Sequence, residues 1–372
     1  MSSNEWIAIA EKLGPEFAEY GARHDEDGTF AAEAFAALSE EGLFKALVPT
    51  ELGGMGAGFR DICEFIRVLA HYDPSTALAY SMHSHLVAAT VWKYRHGKPG
   101  EALLRKVVDQ GLILVSTGAG DWLESNGKLE KVEGGYRYTS FKPFGSGSPA
   151  AHLMITSGRY EDPEEGPMVL HFPLAFSTEG VTRGSDWDAH GMRATGSDTV
   201  RIEGAFIPEE SIALRRARGP WHPAFNVIST VALPIIMSAY VGVAERAAEL
   251  AIARATKKRD DINVQYLTGE LLNELFVARS VWERSIDNVA EYDFEPTNER
   301  ASLGVQAKTM TAEACVRTVS KAMEVGGGEA FFRRVGIEKL MRDVRASHYH
   351  PLQPKRQHSF SGRVALGLPP VA

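Results

Sequence analysis

Imidazoles are the side chains best suited to proton chemistry in this chain, and five of its twelve histidines gather in two places. His83 and His85 stand two residues apart in a stretch of helical spacing. They therefore point to different faces, and at most one can look into a given pocket. His348, His350 and His358 lie near the end of the sequence. An i, i+2 spacing beside Pro351, with no acidic or Cys partner nearby, argues against zinc, and no metal is expected. Proton transfer remains, for which an imidazole with an ordinary pKa of about 6.5 is suited at neutral pH. A hydroxyl, Ser146, sits in the Gly- and Ser-rich run Lys142-Pro143-Phe144-Gly145-Ser146-Gly147, which taken alone reads as the turn of a hairpin. The only cysteines, Cys63 and Cys315, each fall inside an apolar helical pattern. That excludes a disulfide framework and a Cys-based zinc site and suits a reducing cytosol.

The elements that must position these groups change period twice. With 372 residues the prior is several packed layers rather than one small core. Residues 1–111 are rich in Ala, Leu, Glu and Phe at helical spacing. Asp73-Pro74-Ser75 reads as the start of a helix running through Tyr94. Over residues 112–219 the period becomes two, with short strands expected at Leu112–Ser116, Lys128–Val132, Tyr136–Ser140, Leu153–Thr156, Val169–Phe172 and Thr199–Ile202. Turn signals such as Glu133-Gly134-Gly135 and Thr195-Gly196-Ser197 separate them. This predicts a small antiparallel barrel. Residues 220–372 return to helices: a buried apolar one from Val227, one marked by Leu271, Leu275, Ala278 and Trp282, and one marked by Leu303, Ala307, Met310 and Ala314. With the Ile337–Arg345 segment they form a four-helix bundle. The expected fold class is α+β, in the order helical domain, β-barrel, helical bundle.

A net charge of −8 argues against a nucleic-acid or anionic-membrane surface. The basic run Arg215-Arg216-Ala217-Arg218 reads as a solvated turn. The start of the chain lacks the layout of a secretion signal, and Val227–Ala244 is better read as a core helix than as a membrane span.

This order of layers resembles the acyl-CoA dehydrogenase superfamily, and local motifs agree in sequence order. They are Val48-Pro49 to Gly53-Gly54-Met55-Gly56, Val115 to Asp121, Lys142 to Gly147, Gly191-Met192-Arg193, Glu324 to Gly328, and Glu338 to Asp343. The resemblance implies a bound flavin, FAD or FMN, and a cytoplasmic homotetramer, a dimer of dimers. It implies that Ser116 and Thr117 face the flavin's pyrimidine side, that Phe144 and Gly145 wall the ring, and that Ser146 meets N5. Gly326 and Gly327 would approach the cofactor's phosphates across a subunit boundary. Arg259 would keep the charge of an Arg-x-x-Phe-Gly segment whose Phe-Gly is absent here.

The same resemblance exposes a gap. Members that desaturate acyl thioesters use a Glu base, either just after the Arg-Asp ending or on the first long helix of the bundle. Here Tyr349-His350-Pro351 occupies the first place, no Asp or Glu follows Asp343, and none lies between Glu210 and Glu245. The chain is similar instead to the flavin monooxygenases of the superfamily, of the dibenzothiophene and p-hydroxyphenylacetate types. That similarity implies reduced flavin from a separate reductase, dioxygen, a C4a-hydroperoxide, and a small-molecule substrate. His350 would be the acid/base or peroxide partner, Ser146 the N5 partner and His85 the substrate-side acid/base. The alternatives are an acyl-CoA dehydrogenase with a non-standard base and a non-catalytic member of the family.

Overall fold

The computed structural model of the protein describes residues 2–117 and 123–372. Gly118 to Asp121, in the first loop expected to face the flavin, lie outside the described residues. Five helices come first: α1 (Ser3–Asp27), α2 (Ala32–Glu40), α3 (Phe59–Tyr72), α4 (Pro74–Arg95) and α5 (Glu101–Asp109). Strands follow: β1 (Leu114–Ser116), β2 (Lys128–Val132), β3 (Gly135–Lys142), β4 (Leu153–Asp162), β5 (Gly166–Ala175), β6 (Val181–Arg183), β7 (Val200–Pro208) and β8 (Leu214–Ala217). The chain closes with α6 (Ala224–Ala255), α7 (Ile262–Asp287), α8 (Asn298–Gly326), α9 (Ile337–Val344) and α10 (Pro354–Ala365). This is the acyl-CoA dehydrogenase-like order of layers.

Among the described residues the strands form one sheet in the order β6-β7-β3-β2-β4-β5-β8, with β1 added parallel to β4. Its other pairings are antiparallel except for one bridge between β2 and β4. Six strands fall where the alternation puts them; β6 and β8 do not announce themselves. The basic run is where the expectation fails, because Leu214–Ala217 is a strand rather than a solvated turn. Alternation turns Arg216 inward, where its guanidinium donates to His171 Nε2 (3.0 Å) and to the Leu123 carbonyl (2.8 Å).

Two helices are buried on nearly all sides, α4 and α6. Asp73 starts α4: its carboxylate accepts from the N–H groups of Ser75 (3.1 Å) and Thr76 (3.2 Å), while Pro74 takes the first helical position. α6 is apolar and long enough to cross a membrane by length and composition, but its apolar window is 94% buried inside the protein. Inside it, Glu245 is held by Arg67 (2.5 Å), His71 (2.7 Å) and Arg279 (2.5 Å), and these partners hold its carboxyl down at about 2 against the cost of burial. The first and last helical layers share a single apolar core, and the sheet has its own. In α8 the expected stripe holds at Ala314, which is fully buried, and fails at its large residues. Leu303 and Met310 are about half exposed, and the buried face carries Val305, Lys308, Ala312 and Cys315 instead.

One junction ties the layers together. Asp343 on α9 accepts from the Met192 N–H (2.5 Å) and from Lys339 (2.7 Å), and Arg342 pairs with Asp25 of α1 (2.7 Å). A side chain at Gly191 would place its Cβ 2.3 Å from the Arg342 carbonyl, so this approach requires glycine. The Gly-Met-Arg and Arg-Asp motifs are therefore two halves of one contact.

Candidate active site

The two histidines of α4 separate by what their rings touch. His83 is spent: Nε2 donates to the Phe44 carbonyl (2.6 Å), and Nδ1 accepts from the Leu114 N–H (3.0 Å). It clamps β1 to the first helical layer. His85 uses one nitrogen, Nδ1–H, on the Ser81 carbonyl (3.0 Å), which leaves Nε2 as a bare acceptor with no partner among the described residues. Burial pushes the pKa of each ring down to about 4, so both are neutral at physiological pH.

His350 follows the turn Arg345–Tyr349, and its Nε2 lies 2.7 Å from the Tyr240 hydroxyl, midway along α6. The buried phenol has no other acceptor among the described residues, and burial raises its pKa well above 10, so it donates and the imidazole carries its hydrogen on Nδ1. Burial first, then the positive charge of Lys308, push His350 down to about 3. His350 and His85 are therefore both neutral rings, the first left with an N–H to offer and the second with a lone pair.

Lys308 is the residue that sequence reasoning missed. It is 1% exposed, donates to the Leu352 carbonyl (3.2 Å), and is pushed down to about 8 by burial despite the pull of Glu313. It fastens the tail just beyond His350. Its only sequence signal was a lysine inside an otherwise apolar helical run, as Tyr240 was a lone phenol in an apolar helix.

The Ser146 turn packs on the same helix as His85. Gly147 lies against α4 at Ala79, six residues or about 9 Å along the axis from His85. Ser146 is part-buried, and its Oγ lies 2.7 Å from that of Ser197, which lies 2.6 Å from Thr195 Oγ1. Thr195 in turn donates to the Met192 carbonyl (2.9 Å). Phe144 adopts φ 62° and leaves 61% of its surface exposed, with Trp187 edge-on at 6.1 Å between ring centroids. The backbone N–H groups of Gly145, Ser146 and Gly147 are all used within the turn region, on the carbonyls of Asp198, Phe144 and Thr195. Gly145 thus contributes shape rather than a donor. Ser116 ends β1, and Thr117 donates its hydroxyl to Thr156 (3.0 Å).

Three predicted residues lie elsewhere. Arg259 is exposed beyond the end of α6, 19 residues or about 28 Å along the axis from Tyr240. Gly326 and Gly327 end α8, a comparable distance beyond Lys308. Within one chain these three do not join His85, Ser146 and His350. The other tail histidines also diverge, for His358 is exposed on α10 and His348 keeps a buried Nε2 without a partner among the described residues.

The donor set fits a flavin. It offers an exposed aromatic wall, a part-buried hydroxyl, and two imidazole nitrogens without partners among the described residues. The buried carboxylates among the described residues are committed elsewhere. Asp25 pairs with Arg342, Asp73 caps α4, Glu245 holds its three cations, and Asp343 anchors Met192.

Comparison with known proteins agrees. Residues 8–111 match the model of the acyl-CoA dehydrogenase N-terminal domain, and residues 233–349 that of the C-terminal domain, together more than half of the chain. The L-evernosamine nitrososynthase of a Micromonospora species is 26% identical, over 91% of this chain and 84% of that protein. The dibenzothiophene monooxygenase of Rhodococcus qingshengii is 24% identical, over 98% of this chain and 95% of that protein. The solved structure of KijD3 with FMN and a dTDP-amino-keto sugar superimposes with a TM-score of 0.87 at 25% identity, covering 98% of this chain and 94% of that one. Fold, motif order and family models converge, and the chain belongs to the acyl-CoA dehydrogenase superfamily.

Proposed function

We propose that this chain is a flavin-dependent monooxygenase. It takes reduced flavin, FAD or FMN, from a separate reductase and uses dioxygen to oxygenate a small molecule at nitrogen or sulfur. The observation that carries this reading is the neutral Tyr240–His350 pair, standing where acyl-CoA desaturation needs a carboxylate, while every buried carboxylate among the described residues is tied elsewhere. The similarity to a nitrososynthase and to a dibenzothiophene monooxygenase supports heteroatom oxygenation over desaturation.

When bound, reduced flavin supplies the two electrons that split dioxygen between substrate and water. The chain's own residues do the rest. Phe144 and Trp187 would give the ring an apolar wall, Ser116 and Thr117 would flank its pyrimidine side, and Ser146 would meet N5. His350 Nδ1–H is held by Tyr240 as a donor toward developing oxyanion charge, and His85 Nε2 accepts a proton from the substrate. Burying the His85 ring limits access of water to that exchange. We assign the domains as 1–111, 112–219 and 220–372, and the protein as a cytoplasmic homotetramer. Exposed Tyr266 and Phe276 on α7, with Leu303 and Met310 on α8, offer an apolar face for that assembly. Across it Arg259, Gly326 and Gly327 would reach a neighbouring subunit's flavin, a reading supported by their distance from Tyr240 and Lys308 in one chain.

The test supplies a flavin reductase, NADH and isotopically heavy dioxygen with a panel of amines and sulfur heterocycles. Product carrying one heavy oxygen, lost in His350→Asn, is expected. Oxygenation that survives His350→Asn would remove this mechanism.

A further inference from the structure

Ser146 does not stand alone; its hydroxyl is the end of a chain whose polarity can be read from its far end. The Met192 carbonyl can only accept, so at 2.9 Å the hydrogen between it and Thr195 belongs to Thr195. With that hydrogen spent, Thr195 Oγ1 can only accept from Ser197, 2.6 Å away. Ser197, its own hydrogen now used, must accept from Ser146 at 2.7 Å. Ser197 and Thr195 are 5% and 0% exposed, so water does not compete along this chain. The part-buried end therefore presents lone pairs and no hydrogen. The anchor is firm as well, because the peptide of Met192 also receives Trp187 Nε1–H (3.0 Å) on its oxygen and gives its N–H to the buried Asp343.

We infer that Ser197 and Thr195 are positioning residues that fix Ser146 as a hydrogen-bond acceptor, and that the site thereby selects reduced over oxidised flavin. The inference rests on the reading that Ser146 faces N5. Reduced flavin carries N–H at that position and oxidised flavin carries a lone pair. An acceptor meets the first and repels the second. The chain would thus load the reduced cofactor and release the spent one without any change of fold.

The experiment measures dissociation constants for reduced FMN and FAD under anaerobic conditions and for the oxidised forms, in the wild type, Ser197→Ala and the isosteric Thr195→Val. Removing Ser197 leaves the Ser146 hydrogen free to turn toward N5. Removing the Thr195 hydroxyl frees the hydrogen of Ser197 for Ser146 and has the same result. The wild type is expected to prefer reduced flavin. In both variants the ratio of oxidised to reduced dissociation constants is expected to fall about five- to tenfold, the size of one neutral hydrogen bond. An unchanged ratio in variants that still bind flavin would overturn the relay and leave the flavin reading intact. A wild type that binds neither form would overturn the flavin reading itself.

Discussion

Lowering the pH should unfold this protein through its histidines before its carboxylates titrate. His83 and His85 are 2% and 6% exposed, and burial holds both at about 4 against an ordinary 6.5. A histidine whose folded pKa lies below its unfolded value stabilises the fold fully above 6.5. That contribution is lost as the pH falls toward 4, because the unfolded chain takes up the proton first. At about pH 5.5 each ring costs about 1.4 kcal/mol, and the two together about 3 kcal/mol. His171 and His350 are displaced further, to about 3, but keep part of their surface exposed and so add less than a full share. The sum is about 3–5 kcal/mol between about pH 7.5 and 5.5, or roughly 4–6 °C in Tm for a chain of this length. Thermal and urea unfolding across that window measures it, and unfolding near the lower end should take up about two to three protons. Stability that stays flat from about pH 7.5 to 5.5 would refute the assignment of these rings as buried and neutral.

Three substitutions probe separate parts of the structure. Tyr240→Phe removes the donor that sets the tautomer of His350 and should lower product formed per NADH consumed about tenfold, about 1.4 kcal/mol in the barrier, without loss of flavin affinity; equal coupling in the variant would show that the phenol does not matter. Glu245→Gln leaves Arg67 and Arg279 without their buried counter-charge and should destabilise by about 3 kcal/mol in urea unfolding. Because Glu245 is depressed to about 2 from 4.5, its contribution is present above 4.5 and lost as the pH falls through 2, well below the histidine window. Gly191→Ala forces a Cβ against the Arg342 carbonyl and should cost about 1–3 kcal/mol by differential scanning calorimetry.

Much of this molecule was legible before its structure. The two changes of period set the layers, Asp73-Pro74 set the start of α4, and the empty positions around Tyr349-His350 pointed away from a carboxylate mechanism. Less legible was whatever depends on contacts far along the chain. Sequence preferred His85 to His83 only through the family resemblance; the Phe44 carbonyl and the Leu114 N–H, both distant, show that His83 is occupied. Thr195-Gly196-Ser197 read as a turn because its hydroxyls acquire meaning only opposite Ser146, some fifty residues earlier. In α8 the periodicity marked an apolar face correctly as apolar, but Leu303 and Met310 look outward while the core side carries Lys308. A helix with two useful faces defeats a reading that assumes one.

The most direct test uses the protein loaded with oxidised flavin, without oxygen, mixed with a series of saturated acyl-CoA thioesters while its visible absorbance is followed. An imidazole held neutral beside Tyr240 has no carboxylate to remove an α-proton, so the yellow colour should persist with every thioester. Bleaching of the flavin with formation of an enoyl-CoA would contradict the account.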